Sequence, residues 1–94
     1  MKAEDSKLNV ARKRLKFRSW HRGTREMDLL LGRFADRHLD SFDVAQLDAY
    51  AALLEESDPD IYDWVCGRSM APAGDFSATL QALTRFHNDA SKSC

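Results

Sequence analysis

The strongest constraint on how this chain can fold is a single stripe. Met27, Leu30, Leu31, Phe34, Ala35 and His38 recur at i, i+3, i+4, i+7, i+8 and i+11. That spacing gathers side chains on one face of an α-helix. Asp28, Arg33, Asp36 and Arg37 fall mostly on the other side. A strand could not use this pattern, because a period of two would scatter the apolar set over both faces. The stripe therefore predicts a helix from about Arg25 to Leu39 with another element packed along it. Gly32 interrupts that helix at a cost of roughly 1 kcal/mol relative to alanine, which predicts close approach of a neighbour at that point.

The remaining segments read as helices too. Leu8, Ala11 and Leu15 lie at helical spacing within a span ending near Trp20, with Arg12, Lys13, Arg14, Lys16 and Arg18 covering the rest. Phe17 and Trp20, three apart, are placed to share a stripe. Asp43 as N-cap puts Gln46 at N3, a capping box with Asp in place of Ser or Thr. Phe42 and Leu47 then form the hydrophobic staple, and Val44, Leu47, Tyr50, Ala51 and Leu54 the buried face. A fourth helix is expected to open on Asp58 as N-cap with Pro59 at N1. Ile61, Trp64 and Val65 are its apolar face, and Gly67 suits the position after its end. Residues 69–74 read as a loop. Asp75 is the expected N-cap of a last helix that buries Phe76, Leu80, Leu83 and Phe86 or His87. No alternating strand pattern, internal repeat or low-complexity tract occurs. The expectation is an all-α, single small domain: a compact bundle of about five short helices over residues 8–88. Loose tails are expected at 1–7 and 89–94.

At 94 residues the chain is near the lower size at which one core suffices. That leaves little room for a deep, water-free catalytic pocket. The net charge of −1 hides an asymmetry: residues 1–26 carry about +6 and the rest about −7, a polarity suited to docking by one charged face. Cys66 and Cys94 form neither a CxxC nor a metal spacing, and reduced thiols in a cytosol-like compartment fit them best. The polar run after Met1 predicts no secretory signal. The apolar runs are too short to span a bilayer, so no direct membrane insertion is expected.

No catalytic constellation emerges. His21, His38 and His87 are far apart in sequence, and no His pair at i, i+4 offers zinc ligands. No Ser or Cys lies in a nucleophile-elbow context, and no glycine-rich phosphate cradle is present. His38 continues an apolar stripe and reads as a half-buried, hydrogen-bonded histidine. The basic run from Arg12 to Arg25, with Phe17 and Trp20 interleaved, is compatible with a nucleic-acid-binding or regulatory, antitoxin-like module. The acidic remainder would repel phosphates on every other side, so no nucleic acid is expected. The hexad His21-Arg22-Gly23-Thr24-Arg25-Glu26 is more informative. Gly23 permits positive φ or close backbone approach, and Glu26 falls in a helix's first turn, where a carboxylate gains about 0.3–1 kcal/mol. Arg18, Trp20, His21, Arg22 and Arg25 crowd around this one turn and cannot all bury. Exposed Trp and Arg beside a rigid turn have the composition of a protein-interface hot spot.

These residues also carry a resemblance. The stretch from Arg14 to Phe34, and a second block from Leu53 to Trp64, are similar in order and spacing to the SdhE-type assembly factors. The family's Arg-Gly-x-x-Glu motif corresponds to Arg22, Gly23 and Glu26, and its continuation to Asp28 and Leu31. The family often has arginine where His21 stands; histidine carries less positive charge near neutral pH, which makes the site pH-sensitive or marks a tolerant rim position. The resemblance implies a non-enzymatic protein, in a bacterial cytoplasm or, as a processed chain, in the mitochondrial matrix. It would bind the flavoprotein subunit of succinate dehydrogenase or fumarate reductase and promote covalent attachment of FAD. It would hold no cofactor or metal stably itself. It would dock through Arg22, Gly23 and Glu26, with Arg25, His21, Arg18 and Asp28 around them. The client's own histidine would attack the flavin, and this chain would only favour the client conformer that aligns the two.

Overall fold

The computed structural model describes residues 3–91. These form five α-helices, and no strand occurs among the described residues. They are α1 (Ala3–Trp20), α2 (Arg25–His38), α3 (Val44–Leu54), α4 (Asp58–Cys66) and α5 (Ser77–Ser91), with one 3-10 turn, Leu39–Ser41, after α2. The all-α expectation holds. Backbone proximity divides the chain into two compact units, one up to Asp48 and one from Ala49 onward.

In the first unit α1 packs along α2. Leu15, Met27, Leu30, Leu31, Phe34, Ala35, Leu39 and Leu47 are buried, so most of the stripe that predicted α2 is core. His38 is half-buried, its ring 4.7 Å from that of Phe34 and 6.5 Å from that of Phe42. α1 begins five residues before Leu8, since Ala, Glu and Lys are strong helix formers whether or not they bury anything. Its inner face is Leu15 and Ser19, with Leu8 and Ala11 half-buried. The Ser19 hydroxyl is fully buried and donates to the Leu15 carbonyl at 2.7 Å, which satisfies a polar group that would otherwise be costly to bury.

Two basic residues of α1 serve the fold. Arg12 Nε donates to the Leu39 carbonyl at 2.9 Å, and its Nη2 donates to the Phe42 carbonyl at 2.8 Å. These carbonyls follow the end of α2, where the helix leaves orphan acceptors. Charge-assisted bonds of this kind contribute about 1.5–3 kcal/mol each when shielded from water. Lys16 Nζ pairs with Asp40 at 3.0 Å, an exposed contact of small energetic weight.

The α3 capping box is present in both directions. Gln46 N–H donates to Asp43 Oδ1 and Asp43 N–H donates to Gln46 Oε1, each at 2.8 Å. The buried face of α3 differs from the expectation, because Val44 is 57% exposed while Leu53 is fully buried. Successive i+3 steps lose about 60° of rotation each. The face centred on Tyr50 and Leu54 therefore takes in Leu53 and leaves Val44 behind.

In the second unit α4 packs with α5, and Ile61, Val65, Leu80, Leu83 and His87 are buried. The cap of α4 is Ser57, one residue before the expected Asp58. Its Oγ accepts the Asp60 N–H at 3.3 Å, and the Ser57 carbonyl accepts the first helical bond from Ile61 N–H at 3.0 Å. Pro59 then sits at N2, where its missing N–H is equally harmless. Ser57→Ala is accordingly expected to cost about 1 kcal/mol and Asp58→Ala less, in paired urea melts. Gly67 ends α4 at φ +76°. Its N–H donates to the Trp64 carbonyl at 3.2 Å, and Arg68 N–H donates to that of Asp63 at 2.8 Å. This is the Schellman arrangement that Gly67 suggested. α5 is not capped by Asp75. Ser77 N–H donates back to the Gly74 carbonyl at 3.1 Å, which places Asp75 inside a turn, and Phe76 supplies the first helical carbonyl, to Leu80 N–H at 2.8 Å.

Candidate partner-docking site

The hexad is the joint between α1 and α2, and its geometry follows from three local devices. Thr24 is the N-cap of α2, in extended conformation, with its Oγ1 accepting the Met27 N–H at 3.3 Å. Gly23 has φ +114°, a region that L side chains rarely adopt. No atom would lie within 4 Å of a Cβ there. Gly23 is therefore required by backbone conformation, not by close approach of a neighbour within the chain. The third device is Asp28. Its Oδ1 accepts the Arg22 backbone N–H at 2.6 Å, so a side chain on the first turns of α2 clasps the chain just before the glycine. An anion at this end of α2 also complements the helix dipole.

These devices fix where the predicted docking residues lie. His21, Gly23, Arg25 and Glu26 are exposed, while Arg18, Arg22 and Asp28 are half-buried. The structure brings Arg22 and Asp28 together through the backbone, which makes Asp28 a holder of the turn's shape. His21 Nδ1 lies 2.7 Å from the Phe17 carbonyl, and its ring stacks on that of Phe17 with centroids 4.0 Å apart. A shallow groove runs past His21, Gly23, Arg25 and Leu29 beside this turn.

Trp20 departs from the expected exposed anchor. Its indole is half-buried and lies flat on Gly32, where a Cβ would overlap ring atoms Cδ2, Cε2 and Cε3. Its Nε1–H donates to Asp36 Oδ2 at 3.2 Å. Gly32 thus makes the predicted close approach, and Trp20 is the neighbour. Phe17 and Trp20 do not share a face: Phe17 points outward and is 64% exposed. Sequence reasoning also did not assign Thr24, although a threonine directly before an apolar-periodic run is a recognisable cap signal. No sequence template pairs a helical carboxylate with a backbone N–H six residues earlier, so the Asp28 clasp had no signal to follow.

Among the described residues no helix is long and apolar enough to cross a membrane. A family model described as the flavinator of succinate dehydrogenase matches residues 13–87. The FAD assembly factor SdhE of Acetobacter pasteurianus is 43% identical over 70 residues, covering 74% of this chain and 63% of that protein. The mitochondrial succinate dehydrogenase assembly factor 2 of Scheffersomyces stipitis is 47% identical over 64 residues, covering 68% of this chain and 43% of that protein. Its counterpart in Dictyostelium discoideum is 36% identical over 84 residues, covering 89% and 59%. The chain thus spans between 43% and 63% of the length of these relatives. With the family's description covering residues 13–87, which include the whole α1–α2 joint, the chain belongs to the family of succinate dehydrogenase flavinators.

Proposed function

We propose that this chain is an assembly factor that binds the flavoprotein subunit of succinate dehydrogenase and promotes covalent attachment of FAD to it. The observation that carries the reading is the joint itself: a positive-φ glycine, clasped by Asp28 and capped by Thr24, that presents Arg25, Glu26 and His21 to solvent. Arg22 and Arg25 offer planar donors suited to partner carboxylates. Glu26 offers an acceptor for partner N–H groups. Gly23 carries no side chain and has open space around it, which lets a partner come close.

The chain acts by binding and not as an enzyme, and holds no FAD of its own. The nucleophile and the flavin belong to the client, and the cofactor supplies the difficult chemistry. Binding the client conformer in which histidine and flavin are aligned raises the rate through proximity alone. The same contacts suit the related flavoprotein of fumarate reductase. The test uses purified flavoprotein subunit lacking covalent flavin, with limiting FAD and a dicarboxylate. Covalent flavin, read as fluorescence of the denatured subunit, is expected to rise severalfold when this protein is added. Equal covalent flavin with and without it would overturn the reading.

A further inference from the structure

The outer face of α1 takes no part in the packing of α1 on α2; of the contacts described above, only those between Phe17 and His21 lie on it. Lys7, Val10, Arg14, Phe17 and His21 follow the alternating three- and four-residue spacing of a helix-packing seam, and all five are exposed. Val10 is 51% exposed and Phe17 64% exposed. They stand seven residues apart, about 10.5 Å along the helix, and exposed Arg14 falls between them on the same helical face. His21 stacks on one face of Phe17 and holds that ring in place, so the seam runs without a break into the α1–α2 joint. Two pre-positioned apolar knobs separated by a cation are the mirror of an amphipathic helix whose apolar residues are interleaved with carboxylates.

We propose that this seam receives an acidic amphipathic helix of the flavoprotein partner, with apolar side chains over Val10 and Phe17 and a carboxylate against Arg14. The inference rests on the assembly-factor reading and adds a second contact region to it. A second copy of this chain is a poor occupant. In an antiparallel pair centred on the seam Arg14 meets Arg14, and in a parallel pair every cation meets its own kind, which repels. Nucleic acid is disfavoured as well. Arg12 is committed to the Leu39 and Phe42 carbonyls, and one face of the Phe17 ring is already covered by His21, which leaves half a stacking platform.

The experiment compares the full chain with Val10→Ser/Phe17→Ser, Arg14→Glu and Phe17→Leu. It measures affinity for the purified flavoprotein subunit and covalent flavin formed. A photoreactive phenylalanine analogue at position 17 reports what lies on the seam. All the substituted positions are exposed, so thermal melts should superimpose on wild type. The double serine variant is expected to bind about tenfold more weakly or worse. Arg14→Glu should lose binding at low salt and regain part of it at high salt, and Phe17→Leu should retain most affinity. The crosslink should fall on a helical, Asp/Glu-bearing segment of the subunit. If wild type binds and raises covalent flavin while the serine and glutamate variants match it, this inference is overturned and the assembly-factor reading stands. A crosslink to a second copy overturns it, as does salt-steep binding to a DNA duplex that Arg14→Glu abolishes. If wild type neither binds the subunit nor raises covalent flavin, both fall together.

Discussion

Gly23→Arg is expected to abolish the gain in covalent flavin while leaving far-UV helicity close to wild type. The separation follows from the local geometry. Open space surrounds position 23, so a side chain meets no steric clash. What it meets is a φ of +114°, and holding an L residue there costs on the order of 1–3 kcal/mol. A small domain with about 5–15 kcal/mol of stability remains folded after such a loss. The turn, however, either relaxes away from its shape or presents a long cation where a partner backbone should approach. Glu26→Ala provides the complementary case. Glu26 is exposed in the first turn of α2, and its loss should lower stability by no more than about 0.3–1 kcal/mol while removing most of the flavin gain. If both variants unfold, the motif is a structural turn and the docking role is lost. If both fold and assist normally, the site lies elsewhere.

Gly32→Leu is expected to destabilise the first unit by forcing α1 and α2 apart. A Cβ alone would overlap the Trp20 indole, and that ring is a rigid plane held by its bond to Asp36. Overpacking of this kind costs about 1–3 kcal/mol, occasionally more. The better helix propensity of leucine returns only roughly 1 kcal/mol. A leucine side chain must push α1 away from α2 or expel the indole, so a loss at or beyond the upper end of that range is expected in urea unfolding. Trp20→Ala in the Gly32→Leu background should restore part of the loss, because it empties the space the leucine needs. Additive effects in that double-mutant cycle would show that the two residues do not share the contact.

The parts of this fold that sequence made legible are those where a local rule acts alone. The α2 stripe and the Asp43–Gln46 box are written within a few residues of each other, and Gly67 matches its Schellman geometry directly. Structure and sequence expectation differ where two local rules compete. Ser57 and Asp58 are both good caps, and it is the serine whose hydroxyl accepts the Asp60 N–H. Asp75 is a good cap that a tight turn from Gly74 pre-empts. At the candidate site, sequence located the glycine turn and the charged crowd around it. It could not distinguish charges that face solvent from those that serve the fold, because Arg12 finds its acceptors 27 and 30 residues away. Trp20 is covered for the same reason: its neighbour Gly32 lies on another helix, and only tertiary packing decides whether an aromatic at a turn is exposed.

The clasp between Asp28 and the Arg22 backbone bears on the kinetics of recognition. A loop ordered only on contact must lose its conformational entropy at the moment of binding. Here folding of α1 against α2 settles that loss beforehand, so the joint meets its partner already in shape. Such preorganised surfaces associate without waiting for a conformational step. Substitutions among the exposed residues should then appear mainly as faster dissociation, whereas loosening the clasp should slow the encounter itself.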